Sequence, residues 1–328
     1  MVTIGSAPTP TAIKDAAPIA TLSDVTKRFG DSVAIDDVNL AIPPGQIFGL
    51  IGPSGCGKTT LIRLLLGVLA PTEGIVQIMG LSPEHLSPAA RVKIGYTPQG
   101  FVLYPTLTVW ENLSFVAGLF GMPFWRRRRR MRELLEFLEL WPARKRLARD
   151  LSGGMQRRLA LACALVHRPI VLIVDEPTSG LDPVLRERIW DYLRNLCEQG
   201  TSILVTTQHI DEAALCDTVA VMRAGKVIAV GTPADLRQRA MGGAVIDLVA
   251  EDLSRADQLA LRAMPGVSSV RWTGEEGGLR LIVDDVATAT PAVIHTLQDR
   301  GVIVASATPY EPTFDEVFMK IVSDDAKQ

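Results

Sequence analysis

Short apolar runs alternate along this chain with longer segments in which apolar residues recur every three or four positions. The runs IFGLIG (47–52), IVLIVDE (170–176) and SILVTT (202–207) are apolar over most of their length, as strands buried on both faces are. Helical patterns such as KTTLIRLLLGVL and VLRERIWDYLRNLCEQG follow the first two runs. This alternation predicts an α/β domain with a largely parallel sheet, in which ligands bind at the carboxyl ends of the strands.

The stretch GPSGCGKTT follows the first of these strands and precedes a helix. It fits the P-loop pattern G-x-x-x-x-G-K-[ST], in which glycines let backbone amides face a polyphosphate. The lysine of such a loop reaches the terminal phosphates, and the hydroxyl after it ligates Mg²⁺. A plain glycine turn is the alternative. The residues predicted to bind the nucleotide are Gly52, Pro53, Ser54, Gly55, Cys56, Gly57, Lys58, Thr59 and Thr60.

Two adjacent carboxylates end the second strand. In VLIVDEP (171–177), Asp175 follows four apolar residues and is placed to hold Mg²⁺. Glu176 comes next, and beside a P-loop it is expected to act as the general base that polarises the attacking water. A helix-capping acidic pair is the alternative.

Further motifs separate the classes of P-loop protein. LSGGMQRR (151–158) resembles the signature motif of the ABC (ATP-binding cassette) ATPases. Phe29 in TKRFG matches the aromatic A-loop of that family, Gln99 in YTPQG its Q-loop, and SGLD (179–182) its D-loop. The resemblance covers about residues 20–240. It implies a P-loop NTPase cassette with a helical subdomain, which binds and hydrolyses ATP with Mg²⁺ as cofactor.

The resemblance also implies roles for these loop residues. Phe29 would stack on adenine, although an aromatic residue after a strand can instead pack in the core. Gln99 would ligate Mg²⁺ together with Thr59 and Asp175 and report the nucleotide state to a transmembrane partner; a plain exposed loop glutamine is the alternative.

A second phosphate-binding element is expected at the signature motif. Ser152, Gly153 and Gly154 open a helix, whose N-terminus attracts anions. In ABC proteins this surface meets the ATP bound to the opposite subunit, and Asp182 of the D-loop would lie at the same interface. The working unit is therefore expected to be a dimer of nucleotide-binding subunits.

The third strand ends in VTTQHIDEA (205–213), where most ABC ATPases have the pattern T-T-H-x-x-[DE]-E-A. Gln208 occupies the place of the histidine that contacts the γ-phosphate, and His209 falls one residue later. We expect Gln208 rather than His209 to sense the γ-phosphate, because a one-residue offset at a strand end turns the side chain to the opposite face. Glutamine at this place resembles ATPases of the daunorubicin-exporter type.

An arginine-rich segment, WRRRRRMRELLEFLELW (125–141), lies between the Q-loop and the signature motif. Residues 122–158 hold 12 basic and 4 acidic side chains. A solvated face of an amphipathic helix is the favoured interpretation. A nucleic-acid or lipid-binding patch is the alternative, and in a transporter the arginines could meet anionic lipid headgroups.

The C-terminal part differs in charge, since residues 243–328 hold 7 basic and 14 acidic side chains. Its pattern of strand, helix, two strands, helix, strand and final helix predicts a small α+β, ferredoxin-like domain. It resembles the accessory domain of drug- and polyketide-exporting ABC-2 type ATPases, which often end in a motif that stands here as PTFDEVF (312–318). The predicted divisions are a flexible tail (1–18), a nucleotide-binding domain (19–242, helical subdomain about 100–165) and this accessory domain (243–328).

Composition limits the location of the chain. Its 328 residues include four scattered cysteines, which indicate neither a disulfide framework nor a zinc site. No window is apolar enough to span a membrane, and the first twenty residues lack the features of a signal peptide. We expect a cytoplasmic protein that lies on the inner face of the cell membrane.

Together these features predict the ATP-hydrolysing subunit of an ABC exporter. Its partner would be a separately encoded membrane permease, which would bind the exported drug or other hydrophobic compound, and no nucleic acid is expected. The alternatives are a non-transport ABC ATPase acting on ribosomes or DNA, which would usually carry two cassettes or a long coiled-coil insertion, and an importer ATPase, which would generally carry a β-rich regulatory domain.

Overall fold

The computed structural model describes residues 17–100, 102–178, 180–273 and 278–325. Contacts divide the chain into two compact units, of which the first ends at Val230 and the second begins at Gly231. The tail expected at residues 1–18 lies outside the described residues, apart from residues 17 and 18. The boundary expected between 242 and 243 falls later in the chain than this division of contacts.

The first unit contains two sheets that line one core. β1 pairs antiparallel with β2 and β4, while β5, β6, β7, β3, β8 and β9 lie side by side in the second sheet. Apolar residues of α1 pack in the cluster that strands of both sheets line. The elements are β1 (Ala20–Phe29), β2 (Ser32–Ile42), β3 (Ile47–Ile51), α1 (Lys58–Leu65), β4 (Glu73–Ile78), α2 (Pro88–Arg91), β5 (Ile94–Thr97), α3 (Val109–Leu119), α4 (Phe124–Phe137), α5 (Gly153–Leu165), β6 (Val171–Asp175), α6 (Pro183–Glu198), β7 (Ser202–Thr207), β8 (Thr218–Arg223) and β9 (Lys226–Gly231).

The strand order of the second sheet brings four loop segments to one edge. β3 pairs in parallel with β7 and β8, and β6 pairs in parallel with β5 and β7. All residues of β3, β6 and β7 are buried, as their continuous apolar runs predict. The segments that follow β5, β6, β7 and β3 therefore meet at the carboxyl edge of this sheet.

Helices α3, α4 and α5 lie between β5 and β6 in the chain and form the predicted helical subdomain. The arginines of α4 are partly paired along the helix surface, through Arg129 with Glu133 at 3.2 Å and Arg132 with Glu136 at 2.8 Å. These pairs fit the solvated-face interpretation of the arginine run. The opposite side of α4 buries Met131, Leu134 and Leu135.

The second unit is built on a four-stranded antiparallel sheet in the order β11-β12-β10-β13. This order, with two helices in a βαββαβ sequence, is the ferredoxin-like arrangement that the sequence predicts. The contact division precedes α7 because α7 packs against α10 of the same unit. The elements are α7 (Pro233–Met241), β10 (Ala244–Ala250), α8 (Arg255–Arg262), β11 (Val267–Trp272), β12 (Gly278–Val283), α9 (Val286–Gln298), β13 (Val304–Tyr310) and α10 (Phe314–Asp325).

None of the helices in the described part of the chain combines the length and the apolar composition that crossing a membrane requires.

Candidate nucleotide site

The P-loop connects β3 to α1. Gly57 precedes the helix in the left-handed region, with φ at +112°, and Lys58 is its first residue. The buried Lys58 donates from Nζ to the carbonyl oxygens of Gly52, at 2.6 Å, and Pro53, at 3.0 Å. A Cβ on Gly52 would lie 2.4 Å from the carbonyl oxygen of Met222, so the backbone packing there requires glycine. The ammonium group is thus held against the backbone of the loop.

The remaining P-loop residues range from exposed to buried. Ser54 and Gly55 are exposed, and Thr60 is half-buried in the first turn of α1. Cys56 is buried, and its Sγ lies 4.0 Å from the Nζ of Lys58. Burial raises the pKa of this thiol, while the neighbouring ammonium opposes the increase.

Asp175 ends β6 and lies beside the start of α1. Thr59 donates from Oγ1 to Asp175 Oδ2 at 3.3 Å, and Thr206 of β7 donates to Asp175 Oδ1. Asp175 is only 2% exposed. Because both of these contacts are made with side-chain hydroxyls of other elements, the helix-capping alternative does not describe this carboxylate.

Glu176 follows β6 directly and has a left-handed backbone, with φ at +53°. Its N–H donates to the carbonyl oxygen of Thr206 at 2.9 Å, and its Oε2 accepts a hydrogen bond from Gln99 Nε2 at 3.0 Å. A non-glycine residue in this conformation costs about 1–3 kcal/mol, and such strain clusters at functional sites. The structure thus joins the Q-loop glutamine to the predicted general base.

Arg157, in the signature motif, joins α5 to the end of β6. Its Nη1 donates to the carbonyl oxygen of Glu176 at 2.8 Å and lies 3.4 Å from that of Asp175. Burial lowers the pKa of the guanidinium, and the carboxylates of Glu176 and Asp175 oppose this effect. This contact could not be predicted from the sequence, because an arginine on an amphipathic helix ordinarily faces solvent.

The signature motif forms the start of α5. Ser152 is exposed and caps the helix, since its Oγ accepts a hydrogen bond from the N–H of Met155 at 3.4 Å. A Cβ on the exposed Gly153 would meet no atom within 4 Å, and one on Gly154 would lie 3.6 Å from Leu181. The start of the helix is thus open at Gly153 and adjoins the D-loop at Gly154.

Asp182 of the D-loop caps α6. Its Oδ1 accepts a hydrogen bond from the N–H of Leu185 at 3.0 Å. Ser179, the first residue of the same motif, lies outside the described residues. The structure therefore gives Asp182 a local structural contact, and its expected place at a dimer interface stays a prediction.

Phe29 is the last residue of β1. Its side chain is 48% exposed, so the core-packing alternative does not describe it. Lys27 Nζ lies 5.3 Å from the centroid of the ring. Stacking on adenine stays a prediction.

Gln208 and His209, here called the switch segment, follow β7, which ends at Thr207. Gln208 is exposed and His209 is half-buried, and a 3-10 helix over Ile210–Leu215 follows. Both residues lie beyond the strand, so the alternation of faces along a strand does not decide between them. The choice of Gln208 as phosphate sensor stays a prediction.

The donor atoms near the P-loop fit a hard divalent cation. The Thr59 hydroxyl and the Asp175 carboxylate lie within 3.3 Å of each other, and Gln99 contacts Glu176, the residue next to Asp175 in the chain. Oxygen donors of these kinds are those that Mg²⁺ prefers. With Nε2 of Gln99 engaged by Glu176, its Oε1 is the atom that remains for a metal.

Comparison with known proteins identifies the family. A family model described as ABC transporter matches residues 35–179, and one described as ATP-binding protein DrrA1-3-like, C-terminal domain, matches residues 231–322. Over 309 residues the chain is 38% identical to the daunorubicin resistance ATP-binding protein DrrA3 of Streptomyces coeruleorubidus, covering 94% of this chain and 96% of that protein. The chain belongs to the ABC transporter ATP-binding proteins.

Other ABC transporter ATP-binding proteins match about two thirds of the chain. Over 214 residues the chain is 41% identical to the probable multidrug ABC transporter ATP-binding protein YbhF of Escherichia coli (strain K12), covering 65% of this chain and 37% of that protein. It thus spans little more than a third of that relative's length. A solved dimeric structure, the post-hydrolysis state of the ATP-binding cassette MJ0796 bound to ADP and Pi, matches with a TM-score of 0.61 and 32% identity, covering 65% of this chain and 98% of that chain. The first unit is an ABC ATPase cassette, which binds and hydrolyses ATP.

Proposed function

We propose that this chain powers efflux of a drug or another hydrophobic compound through a separately encoded membrane permease. The observation that carries its catalytic part is the Gln99–Glu176 hydrogen bond, which lies beside the Thr59–Asp175 pair at one edge of the sheet. Likeness to DrrA3 over both units supports the export function.

The side chains of the site divide the work of hydrolysis. Lys58 contacts the terminal phosphates of ATP, exchanging its present carbonyl partners for phosphate oxygens. Glu176 accepts a proton from the attacking water, and Gln99 orients its carboxylate. Thr59, Asp175 and Gln99 would hold Mg²⁺. When bound, this ion neutralises charge on the β- and γ-phosphates.

The complete site requires two copies of the chain, or one copy and a similar subunit. The exposed start of α5 at Ser152 and Gly153 offers backbone N–H groups and a positive helix end. We propose that this end contacts the ATP held by the P-loop of the opposite subunit, with Asp182 nearby. The dimeric state of the similar MJ0796 cassette supports this arrangement.

The permease is proposed to dock on an apolar surface of the helical subdomain. Phe115 and Leu119 of α3 are 41% and 68% exposed and line a groove of about 430 Å³. Tyr104, which follows the Q-loop, packs edge-on against Phe115 with ring centroids 4.7 Å apart. Because Tyr104 follows Gln99 closely in the sequence, this contact connects Gln99 to the docking surface. That surface would lie at the cytoplasmic side of the membrane.

Export is favoured over the other functions of ABC ATPases. The second unit matches the DrrA1-3-like C-terminal model, and its ferredoxin-like sheet differs from the β-rich regulatory domains expected of importers. The described residues contain one cassette and no long coiled-coil insertion.

Drug retention in cells tests the proposed function. A strain that lacks this chain should retain more daunorubicin than its parent strain, and the unaltered chain should restore efflux while Lys58→Ala should not. Equal retention in all strains would show that this drug is not a substrate.

Membrane recovery tests the docking surface. With the permease co-expressed, Leu119→Asp should reduce recovery of the chain with membranes, whereas Leu259→Asp, at a 59% exposed leucine of the second unit, should not. Equal recovery of the two variants would remove the α3 groove from the proposal.

A further inference from the structure

Glu212 is a buried carboxylate beside the switch segment. It lies in the 3-10 helix Ile210–Leu215 and is 1% exposed. Thr178 Oγ1 donates to its Oε1, and Thr207 Oγ1 donates to its Oε2 at 2.8 Å. A carboxylate loses much hydration on burial and stays charged only where hydrogen bonds and opposite charge replace the water. Arg186 of α6 supplies the opposite charge, with Nε 3.9 Å from Oε1.

One oxygen of this carboxylate is linked through Thr207 to the backbone of the switch segment. The Thr207 hydroxyl that donates to Glu212 also accepts a hydrogen bond from the N–H of His209 at 2.9 Å. The hydroxyl therefore links the carboxylate to the turn that contains Gln208 and His209. Because the hydroxyl has one proton, donating it to Glu212 directs its lone pairs to the backbone amide.

The other oxygen accepts a hydrogen bond from Thr178, in the segment between Glu176 and the D-loop. Thr178 is fully buried and lies two residues after Glu176, and its carbonyl oxygen accepts a hydrogen bond from the N–H of Leu181 at 3.1 Å. The two oxygens of one side chain thus contact Thr178, which follows β6, and Thr207, the last residue of β7.

We propose that Glu212 is a positioning residue, which holds the Gln208–His209 turn in place relative to Glu176 through Thr207 and Thr178. The proposal rests on the proposed function, in which Glu176 accepts a proton from water while the switch segment contacts the γ-phosphate. Glu212 itself touches neither water nor phosphate in this scheme. Its loss should therefore slow the chemical step and leave MgATP binding in place.

Steady-state ATPase measurements on the full chain test the proposal. Glu212→Gln keeps the side-chain shape, but its amide nitrogen donates instead of accepting, so one of the two threonine hydroxyls must turn away or reverse its hydrogen bond. Thr207→Val removes only the hydroxyl that links Glu212 to the switch segment. Each variant should lower kcat about tenfold and change KM for MgATP less than about twofold, as expected for a misplaced group rather than a lost binding contact. Asp211→Asn, at the 65% exposed neighbouring acid that also approaches Arg186, is the matched control and should retain the parent kcat.

A double-mutant cycle distinguishes positioning from general destabilisation. Gln208→Ala and His209→Ala are first measured as single variants, and the one that lowers kcat is combined with Glu212→Gln. That switch substitution should lower kcat by a far smaller factor in the Glu212→Gln background than in the parent. Losses that multiply in full would overturn the proposal, as would parent kcat in both Glu212→Gln and Thr207→Val. If neither switch substitution lowers kcat, the positioning proposal also fails, even where Glu176→Gln abolishes hydrolysis and so upholds the proposed catalytic function.

Discussion

Gln99 donates a hydrogen bond from Nε2 to Oε2 of Glu176 across a distance of 3.0 Å. The glutamine follows β5 and the glutamate follows β6, and these strands are parallel neighbours. Their contact links the loop that leads to the proposed permease surface with the proposed general base. Movement of the Q-loop would therefore change the orientation of the Glu176 carboxylate directly.

Substitutions of Gln99 should lower turnover to different extents. Gln99→Ala removes both the hydrogen bond and the Mg²⁺ donor, and kcat should fall about tenfold. Gln99→Glu should be slower still, because a carboxylate at this position cannot donate a hydrogen bond to Glu176 and repels its negative charge. Steady-state ATPase rates check this, and parent rates in both variants would contradict it.

Glycine at position 52 should be required for folding of the P-loop. A Cβ there would lie 2.4 Å from the Met222 carbonyl oxygen, so Gly52→Ala should lower the free energy of unfolding by about 3 kcal/mol or more. Gly153→Ala is the control, because its Cβ would meet nothing within 4 Å and it should leave stability unchanged or slightly higher. Urea unfolding measures both, and equal losses would show that the clash is relieved by rearrangement.

Substitution of Gln208 should slow hydrolysis more than substitution of His209. Gln208 is exposed just beyond β7, whereas His209 is half-buried. The amide can donate to phosphate but carries no charge, so the parent rate without permease should itself be slow. ATPase rates of Gln208→Ala and His209→Ala decide the question, and a collapse confined to the histidine variant would reverse the assignment.

Stability of the second unit should depend on the charge of Asp257. Hydrogen bonds from Ser254 and from Arg300, at 2.5 Å, lower the pKa of this carboxyl from its usual 3.8 to about 2. A carboxyl group whose pKa is lower in the folded than in the unfolded protein stabilises the fold at pH values above its unfolded-state pKa. This stabilisation is lost as the pH falls through the folded-state pKa. Asp257→Asn should therefore reduce stability fully at pH 7 and roughly half as much at pH 3. Urea unfolding of the full chain at both pH values checks this, and equal deficits would contradict it.

Much of the architecture follows from the sequence. The continuous apolar runs predict buried parallel strands, and β3, β6 and β7 are buried throughout. The predicted order of helices and strands in the C-terminal part is also found, with the ferredoxin-like strand order. These features are encoded locally, by continuous apolar runs and by the helical periodicity of about 3.6 residues.

Contacts between distant segments could not be predicted in the same way. Periodicity shows which face of a helix is apolar, but it does not show which strand end a polar side chain meets. Arg157 and Glu212 therefore looked like ordinary helix and loop charges, although one bonds to the carbonyl of Glu176 and the other holds Thr178 and Thr207. The position of α7 in the second unit likewise depends on its packing against α10, which is more than seventy residues away in the sequence.

The proposed mechanism depends most on Glu176 as the general base, and one paired measurement tests this role directly. ATP binding and steady-state hydrolysis are measured for the purified parent chain and for Glu176→Gln, which keeps the shape of the side chain and removes its ability to accept a proton. We expect parent-like ATP affinity, accumulation of an ATP-bound dimer and a kcat lower by about 100-fold or more. Near-parent hydrolysis by Glu176→Gln would contradict the account and remove Glu176 from the mechanism.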